Sequence, residues 1–156
     1  MKRLIRLTES DLHRIVKESV KRALNEQSCV ETYYHGGDLK DDLFYSGVMW
    51  LTPQDYYAKE YSKDRNNPTI WEIKIDESKI KAASIYGIEE IVGAGFDPYD
   101  PTKEEVQLVI NEGYNAYYMD YDSYNAEGLC IFTKEPVVSI RQLTQKEYNM
   151  IEDWDD

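Results

Sequence analysis

Cysteine is almost missing from this 156-residue chain. The two present, Cys29 and Cys130, are far apart and lack the paired spacing of a zinc site, which argues against a disulfide scaffold and a metal centre. No metal is expected, and a reduced, cytoplasmic setting is the simple reading. No apolar run reaches the roughly 18 residues that span a bilayer. The opening MKRLIRLTES has no apolar h-region, so neither a membrane helix nor a secretory signal is expected. Basic residues are scarce beyond residue 26: the first 26 residues hold seven Lys/Arg and four Asp/Glu, the rest eleven and twenty-six. Phosphate contacts need Lys and Arg, so so acidic a body is not expected to hold nucleic acid directly. It could approach a basic protein surface, including one built to hold nucleic acid, or it could simply be a solvated surface. No Gly-x-Gly-x-x-Gly follows a strand pattern, which argues against a Rossmann domain, and no internal repeat is found.

What the chain does have is tyrosine, fourteen of them. That suggests strands and a cleft whose aromatic bodies are buried while their hydroxyls find partners. Residues 8–26 predict an amphipathic helix. Leu12, Ile15, Val16, Val20, Ala23 and Leu24 fall on one face, and Thr8 with Asp11 makes a capping pair. His13 reads as a surface residue of this helix. A polar stretch follows, so the expected organisation is a helical leader at 1–26, a linker at 27–31 and one domain at 32–156. Strands are expected at Thr32–His35, Gly47–Leu51, Thr69–Ile75, Asn115–Met119, Gly128–Thr133 and Val137–Leu143. Helices are expected from a Thr52-Pro53-Asp55 start to about Asp64, over Thr102–Glu112, and briefly after Thr144. Ser84–Pro101 reads as irregular or as carrying a short helix. The fold class is therefore α+β, with strands dominating and short helices between them.

The most informative stretch is Tyr33-Tyr34-His35-Gly36-Gly37, then a loop, then Gly47-Val48-Met49-Trp50-Leu51-Thr52-Pro53 and a helix bearing Tyr57 and Tyr61. A His before two glycines puts an imidazole beside a backbone that a ligand can approach closely. A strand ending in a large aromatic and a helix with tyrosines four apart would add aromatic walls. Such a slot suits a flat heteroaromatic amide such as nicotinamide.

These motifs, in this order and spacing, resemble the ADP-ribosyltransferase fold in its His-Tyr-Glu branch, the diphtheria toxin and poly(ADP-ribose) polymerase type. The resemblance covers residues 31 to about 143. It implies a split β-sheet core with short peripheral helices and NAD+ as substrate. By resemblance His35 would bond the adenosine-side ribose, Gly36 would pair with the nicotinamide amide, and Trp50 and Tyr61 would flank the ring. Trp50 stands where the family usually has Tyr. Glu127, just before a late strand, would be the catalytic carboxylate; Gly128 after it departs from the family's bulky residue. Asp122 is the reserve acid and Asp120 a weaker one. Duller alternatives are a strand-end cap for His35, core aromatics for Trp50 and Tyr57, a turn acid for Glu127 and a core residue for Cys130.

The segments at Ile75–Tyr86 and Glu127–Phe132 also look similar to small phage-encoded anti-CRISPR ADP-ribosyltransferases, and the leader looks like one found on phage-type proteins. The implied activity is mono-ADP-ribosyl transfer to a protein acceptor, such as a nucleic-acid-binding complex, by a toxin-like effector or counter-defence protein acting in the host cytoplasm. The loops expected to choose the acceptor are Asp38–Ser46 and Tyr86–Pro101. The alternative is a non-catalytic acidic protein that blocks a basic, nucleic-acid-binding partner.

Overall fold

The computed structural model describes residues 8–24, 29–39, 47–121 and 126–153. Within them the chain is α+β, with five α-helices and two sheets. The strands are β1 (Val30–Gly36), β2 (Met49–Leu51), β3 (Ile70–Asp76), β4 (Ala82–Ala83), β5 (Ala116–Tyr121), β6 (Ala126–Ile131) and β7 (Val137–Gln142). The helices are α1 (Glu9–Leu24), α2 (Asp55–Lys63), α3 (Ile85–Val92), α4 (Lys103–Asn111) and α5 (Gln145–Met150). None of these helices is long and apolar enough to cross a membrane.

One sheet has the order β1-β3-β7, all antiparallel; the other has the order β2-β6-β5-β4, with only β4 and β5 parallel. Alternation along the strands sorts the side chains onto two faces. Tyr33, Ile73 and Ile75 from the first sheet meet Met49, Leu51, Leu129 and Ile131 from the second, forming a core between the sheets. The opposite face of the second sheet packs under α3 and α4, where Tyr117 is fully buried among Trp50, Phe96 and Phe132. Its hydroxyl donates to the Pro98 carbonyl at 2.6 Å, so a large ring is buried without orphaning its polar end. The outer face of the first sheet is covered by α2 and α5 through Ala58, Ile70 and Tyr148. Lys59 pins this layer: its buried ammonium donates to the Ile151 carbonyl at 2.6 Å and meets Asp153 at 3.1 Å.

The helix starts differ in how they are made. Thr102 with Glu105, and Thr144 with Glu147, form full capping boxes for α4 and α5. Glu147 also takes Arg141, and its carboxyl is held down to about 2, chiefly by the backbone hydrogen bond at Thr144 and then by Arg141. α2 does not start at Thr52 as the sequence suggests. Its cap is Gln54, with no side-chain hydrogen bond, because the Thr52 main chain is already committed to a bridge with Tyr34. The Ser84–Pro101 region carries α3, capped by Ser84 through the Gly87 N–H. The two-residue β4 is too short to leave a sequence signal. Asn115 holds its approach, accepting from the Lys81 N–H at 2.7 Å and donating to the Lys79 carbonyl at 2.8 Å.

α1 lies on the body with its apolar stripe turned outward. Leu12, Ile15, Val16 and Val20 are 50%, 41%, 59% and 51% exposed, so the apolar stripe faces solvent. The opposite, polar side makes the contacts. Arg14 sits 4.7 Å over the Tyr118 ring, and Lys21 meets Glu31 at 2.8 Å and Glu77 at 3.5 Å. Partly exposed ion pairs of this kind contribute about 0–1 kcal/mol each.

Two stability measurements follow from this packing. Removing residues 1–26 is expected to lower the denaturant-derived unfolding free energy by no more than about 1–2 kcal/mol, the sum of such contacts; loss of cooperative unfolding would show that α1 belongs to the core. Gly36→Ala is expected to cost about 1–3 kcal/mol by overpacking. A Cβ there would stand 2.1 Å from the Ala58 carbonyl oxygen, a backbone atom of α2 that cannot swing aside.

Candidate functional site

The two sheets meet where β1 passes β2. Tyr34 and Thr52 exchange both main-chain hydrogen bonds, Tyr34 N–H to Thr52 O at 2.7 Å and Thr52 N–H to Tyr34 O at 2.9 Å. One residue further along β1, the His35 ring bonds the Trp50 carbonyl through Nδ1 at 2.7 Å. A carbonyl only accepts, so Nδ1 must carry the proton and Nε2 keeps its lone pair. Burial lowers the His35 pKa below its usual value. The Trp50 hydrogen bond works the other way, and the charge of Arg65 adds to the lowering. The site therefore offers a neutral imidazole in one fixed tautomer, with Nε2 as an acceptor for a hydroxyl.

Gly36 is positioned by the ladder. Gly37 N–H donates to Thr69 O at 2.9 Å, so in an alternating antiparallel ladder the Gly36–Ile70 pair is not hydrogen-bonded. The Gly36 N–H and C=O thus turn away from β3, and no partner for them is found among the described residues. Gly37 follows at φ +117°, a left-handed conformation that suits glycine. Its carbonyl accepts from Thr69 Oγ1 at 2.9 Å and Trp71 Nε1 at 3.0 Å, which fixes the turn.

α2 forms one lip of this opening. Ala58 lies against Gly36, and Arg65, just past the helix, lies beside Gly37. Tyr61 is three residues after Ala58 in α2, on a neighbouring part of the helix surface. It is 64% exposed, and its ring centroid is 6.4 Å from that of Tyr57. Tyr57 is partly buried.

His35, Gly36 and Tyr61 stand at the seam and its α2 lip. Trp50 joins them through its carbonyl, while its indole packs edge-on to Tyr117, 5.8 Å away at 82°, in the core beneath α3 and α4. Glu127 is a backbone position within β6, not just before it, because the pairing continues through Asp120↔Glu127 to Tyr121↔Ala126. In the same strand Cys130 is paired with Trp50 and Leu129 with Leu51. The Glu127 main chain therefore lies two residues beyond the rung where β2 turns off toward Thr52 and Pro53. Asp122, and residues 40–46 of the Asp38–Ser46 loop, lie outside the described residues. Cys130 is fully buried, and burial pushes its thiol pKa up, as befits a core residue. Among the described residues no group of three or more His, Cys, Asp or Glu could hold a metal ion.

Arg65 was not singled out by the sequence, yet its charge reaches the His35 ring. No sequence motif marks it, because it lies past the end of α2 and is brought to the site by the turn there. Comparisons with protein-family models, with curated proteins and with solved structures gave no match.

Because the folded-state pKa of His35 is lowered, the folded form resists its protonation. The associated stability is complete above the ordinary value of 6.5 and is lost as pH falls from there through the folded-state pKa. An NMR titration of the ring is expected to give a midpoint below 6.5; a midpoint above it would show that the Trp50 hydrogen bond outweighs burial and the Arg65 charge.

Proposed function

We propose that this chain is a mono-ADP-ribosyltransferase that takes NAD+ as substrate and passes ADP-ribose to a protein. The observation that carries this reading is the His35–Gly36 pair at the seam. It sets a hydroxyl acceptor, Nε2, beside a main-chain donor and acceptor that neither sheet uses. Those groups match a ribose hydroxyl and a planar carboxamide respectively. Tyr61 supplies an exposed ring on the lip above them, suited to stacking on nicotinamide. Trp50 contributes its carbonyl, which orients the imidazole, while its indole serves the core. The α+β arrangement with two sheets supports the reading, since the resemblance implies a core of two sheets.

In this reaction the bond between the nicotinamide nitrogen and the ribose anomeric carbon breaks. The electron pair leaves with nicotinamide, and positive charge builds on the sugar. The Glu127 carboxylate stabilises that oxocarbenium ion, an interaction that is strongest at the transition state. A nucleophilic atom of the acceptor then bonds the anomeric carbon and gives up its proton. Asp122 is the reserve for the carboxylate role.

The test is NAD+ consumption and the intact mass of proteins co-incubated with the full chain. Glu127→Gln is expected to cut turnover by about 10²–10³ with little change in NAD+ affinity, the pattern of a lost transition-state contact. His35→Ala is expected to weaken NAD+ binding instead, by a few-fold to about tenfold for one neutral hydrogen bond. Full transfer by Glu127→Gln moves the role to Asp122, tested by Asp122→Asn. Absence of NAD+ consumption with every protein offered would favour the second reading, a non-catalytic acidic inhibitor of a basic partner. One observation supports that reading independently: the body already holds cationic side chains of α1 on carboxylates and an aromatic ring.

A further inference from the structure

Between α1 and the body runs a groove of about 830 Å³. Its floor is formed by Tyr33, Tyr118 and Met119, and Glu31 and Glu77 stand along it. Tyr33 donates to Glu77 Oε1 at 2.8 Å, which leaves the other oxygen to Lys21 at 3.5 Å. Burial, and then the charge of Glu77, raises the Tyr33 pKa, so this hydroxyl stays a donor. Burial works to lower the Lys21 pKa, but its hydrogen bond to Glu31 and the charge of Glu77 outweigh that and raise it. The body thus presents two cation seats: a carboxylate pair, Glu31 with Glu77, and an aromatic face, Tyr118.

α1 fills both seats, with Lys21 in the first and Arg14 over the second. Arg14 and Lys21 are seven residues, or two helical turns, apart, which puts them on one side of a helix and about 10 Å apart along its axis. What α1 lacks is any hold by its apolar stripe, which is turned to solvent. A helix held by partly exposed ion pairs, a cation–π contact and a Glu18–Tyr118 hydrogen bond, with no apolar burial of its stripe, is weakly held. It stays in place largely because the short stretch to β1 gives it a high local concentration.

We propose that the body flank bearing these two seats is a docking site for a basic helical segment of a partner protein, one bearing two cations two turns apart, and that α1 covers it in cis as a displaceable stand-in. Charge complementarity supports that occupant: outside the first 26 residues the chain carries twenty-six Asp/Glu against eleven Lys/Arg. The groove also borders the proposed chemistry. It reaches Pro53, and Met119, which is paired with Gly128 next to Glu127. If the transfer reading holds, the docked segment is the acceptor; binding itself needs no NAD+, so the two can fail separately.

The test uses the full-length chain, without NAD+, and a fluorescent, end-capped peptide of residues 8–24 as the basic helical probe, read by anisotropy at about 50 mM salt. Wild type is expected to bind it weakly, because its own α1 competes. Arg14→Ala/Lys21→Ala, which releases α1, should bind it at least tenfold more tightly. Adding Glu31→Gln and Glu77→Gln to that variant should remove the gain, as should about 300 mM salt. Lys21→Arg, which keeps the cation, should behave like wild type. A circular-dichroism melt of each variant checks that it is folded. Equal binding by wild type and the released variant would overturn the proposal. So would undiminished binding of a scrambled peptide of the same composition, which would reveal mere attraction to an acidic surface. If the released variant does not fold, α1 is structural and not displaceable, which also overturns it.

Discussion

The seam between β1 and β2 is the constraint on which the rest of the structure depends. Among the described residues, the Tyr34–Thr52 bridge is the one strand contact joining the two sheets. Two hydrogen bonds fix the crossing, and everything chemical about the candidate site follows from where they stop. Past Tyr34, β1 continues along β3 alone, so the outward main-chain groups of Gly36 have no strand to pair with. β2 turns off at Thr52 and Pro53 into α2, which returns over Gly36 so closely that only a glycine fits beneath Ala58. The Trp50 carbonyl at the same crossing points at His35 instead of a third strand. An interrupted sheet thus exposes polar backbone at one place only because the interruption is held rigidly. The Trp50 carbonyl fixes the imidazole tautomer, and burial favours its neutral form.

The bridge also explains why Trp50 and His35 do different work although they stand together. Side chains alternate along a strand. With Met49 and Leu51 committed to the core between the sheets, Trp50 faces the other way, against Tyr117. Its carbonyl lies in the plane of the sheet and reaches His35 regardless. Substitution of the ring and loss of the carbonyl contact are therefore separable events. The Trp50 ring serves the packing under α3 and α4, while the hydrogen bond that orients His35 is made by a backbone atom that any residue at position 50 would supply.

Much of this was legible in the sequence because it rests on local chemistry. The run Thr69–Ile75 was readable as a strand and forms β3: Ile73 and Ile75 are buried between the sheets, and Glu72 and Lys74 lie on the other face. On that face Ile70 is also buried, because α2 covers it, which a two-sided pattern does not reveal. The capping boxes at Thr102 and Thr144 were readable as Ser/Thr-x-x-Glu patterns and formed as such. The Thr52 cap was not formed, because a tertiary bridge claimed the same residue first. β4 escaped notice because two alanines carry no periodicity; it is a strand only through its pairing with β5. At the site, the His-Gly-Gly run announced a close backbone approach, but the pairing that leaves Gly36 unused is a property of register. Arg65 lay outside any motif and is significant only because α2 ends beside Gly37.

The orientation of α1 was the feature least open to sequence reasoning, and it has a physical cause. Helical periodicity identifies an apolar stripe and predicts that the stripe will be buried, since burial of each Leu, Ile or Val side chain is worth about 1.5–3 kcal/mol. That rule assumes an apolar surface is on offer. Here both faces of each sheet are already covered: by the other sheet, by α2 and α5, or by α3 and α4. The flank that remains is rich in carboxylates and tyrosine, with Glu31, Glu77 and Tyr118 exposed to contact. A helix with Arg14, Glu18 and Lys21 on one side and Leu12, Ile15, Val16 and Val20 on the other meets such a flank with its polar side, the cations on the carboxylates and the ring and Glu18 on the Tyr118 hydroxyl. The uneven charge along the chain and the inverted helix are therefore one phenomenon. The acidic body selects the polar face of its own leader, and by the same electrostatics it would select a basic helix brought by another protein.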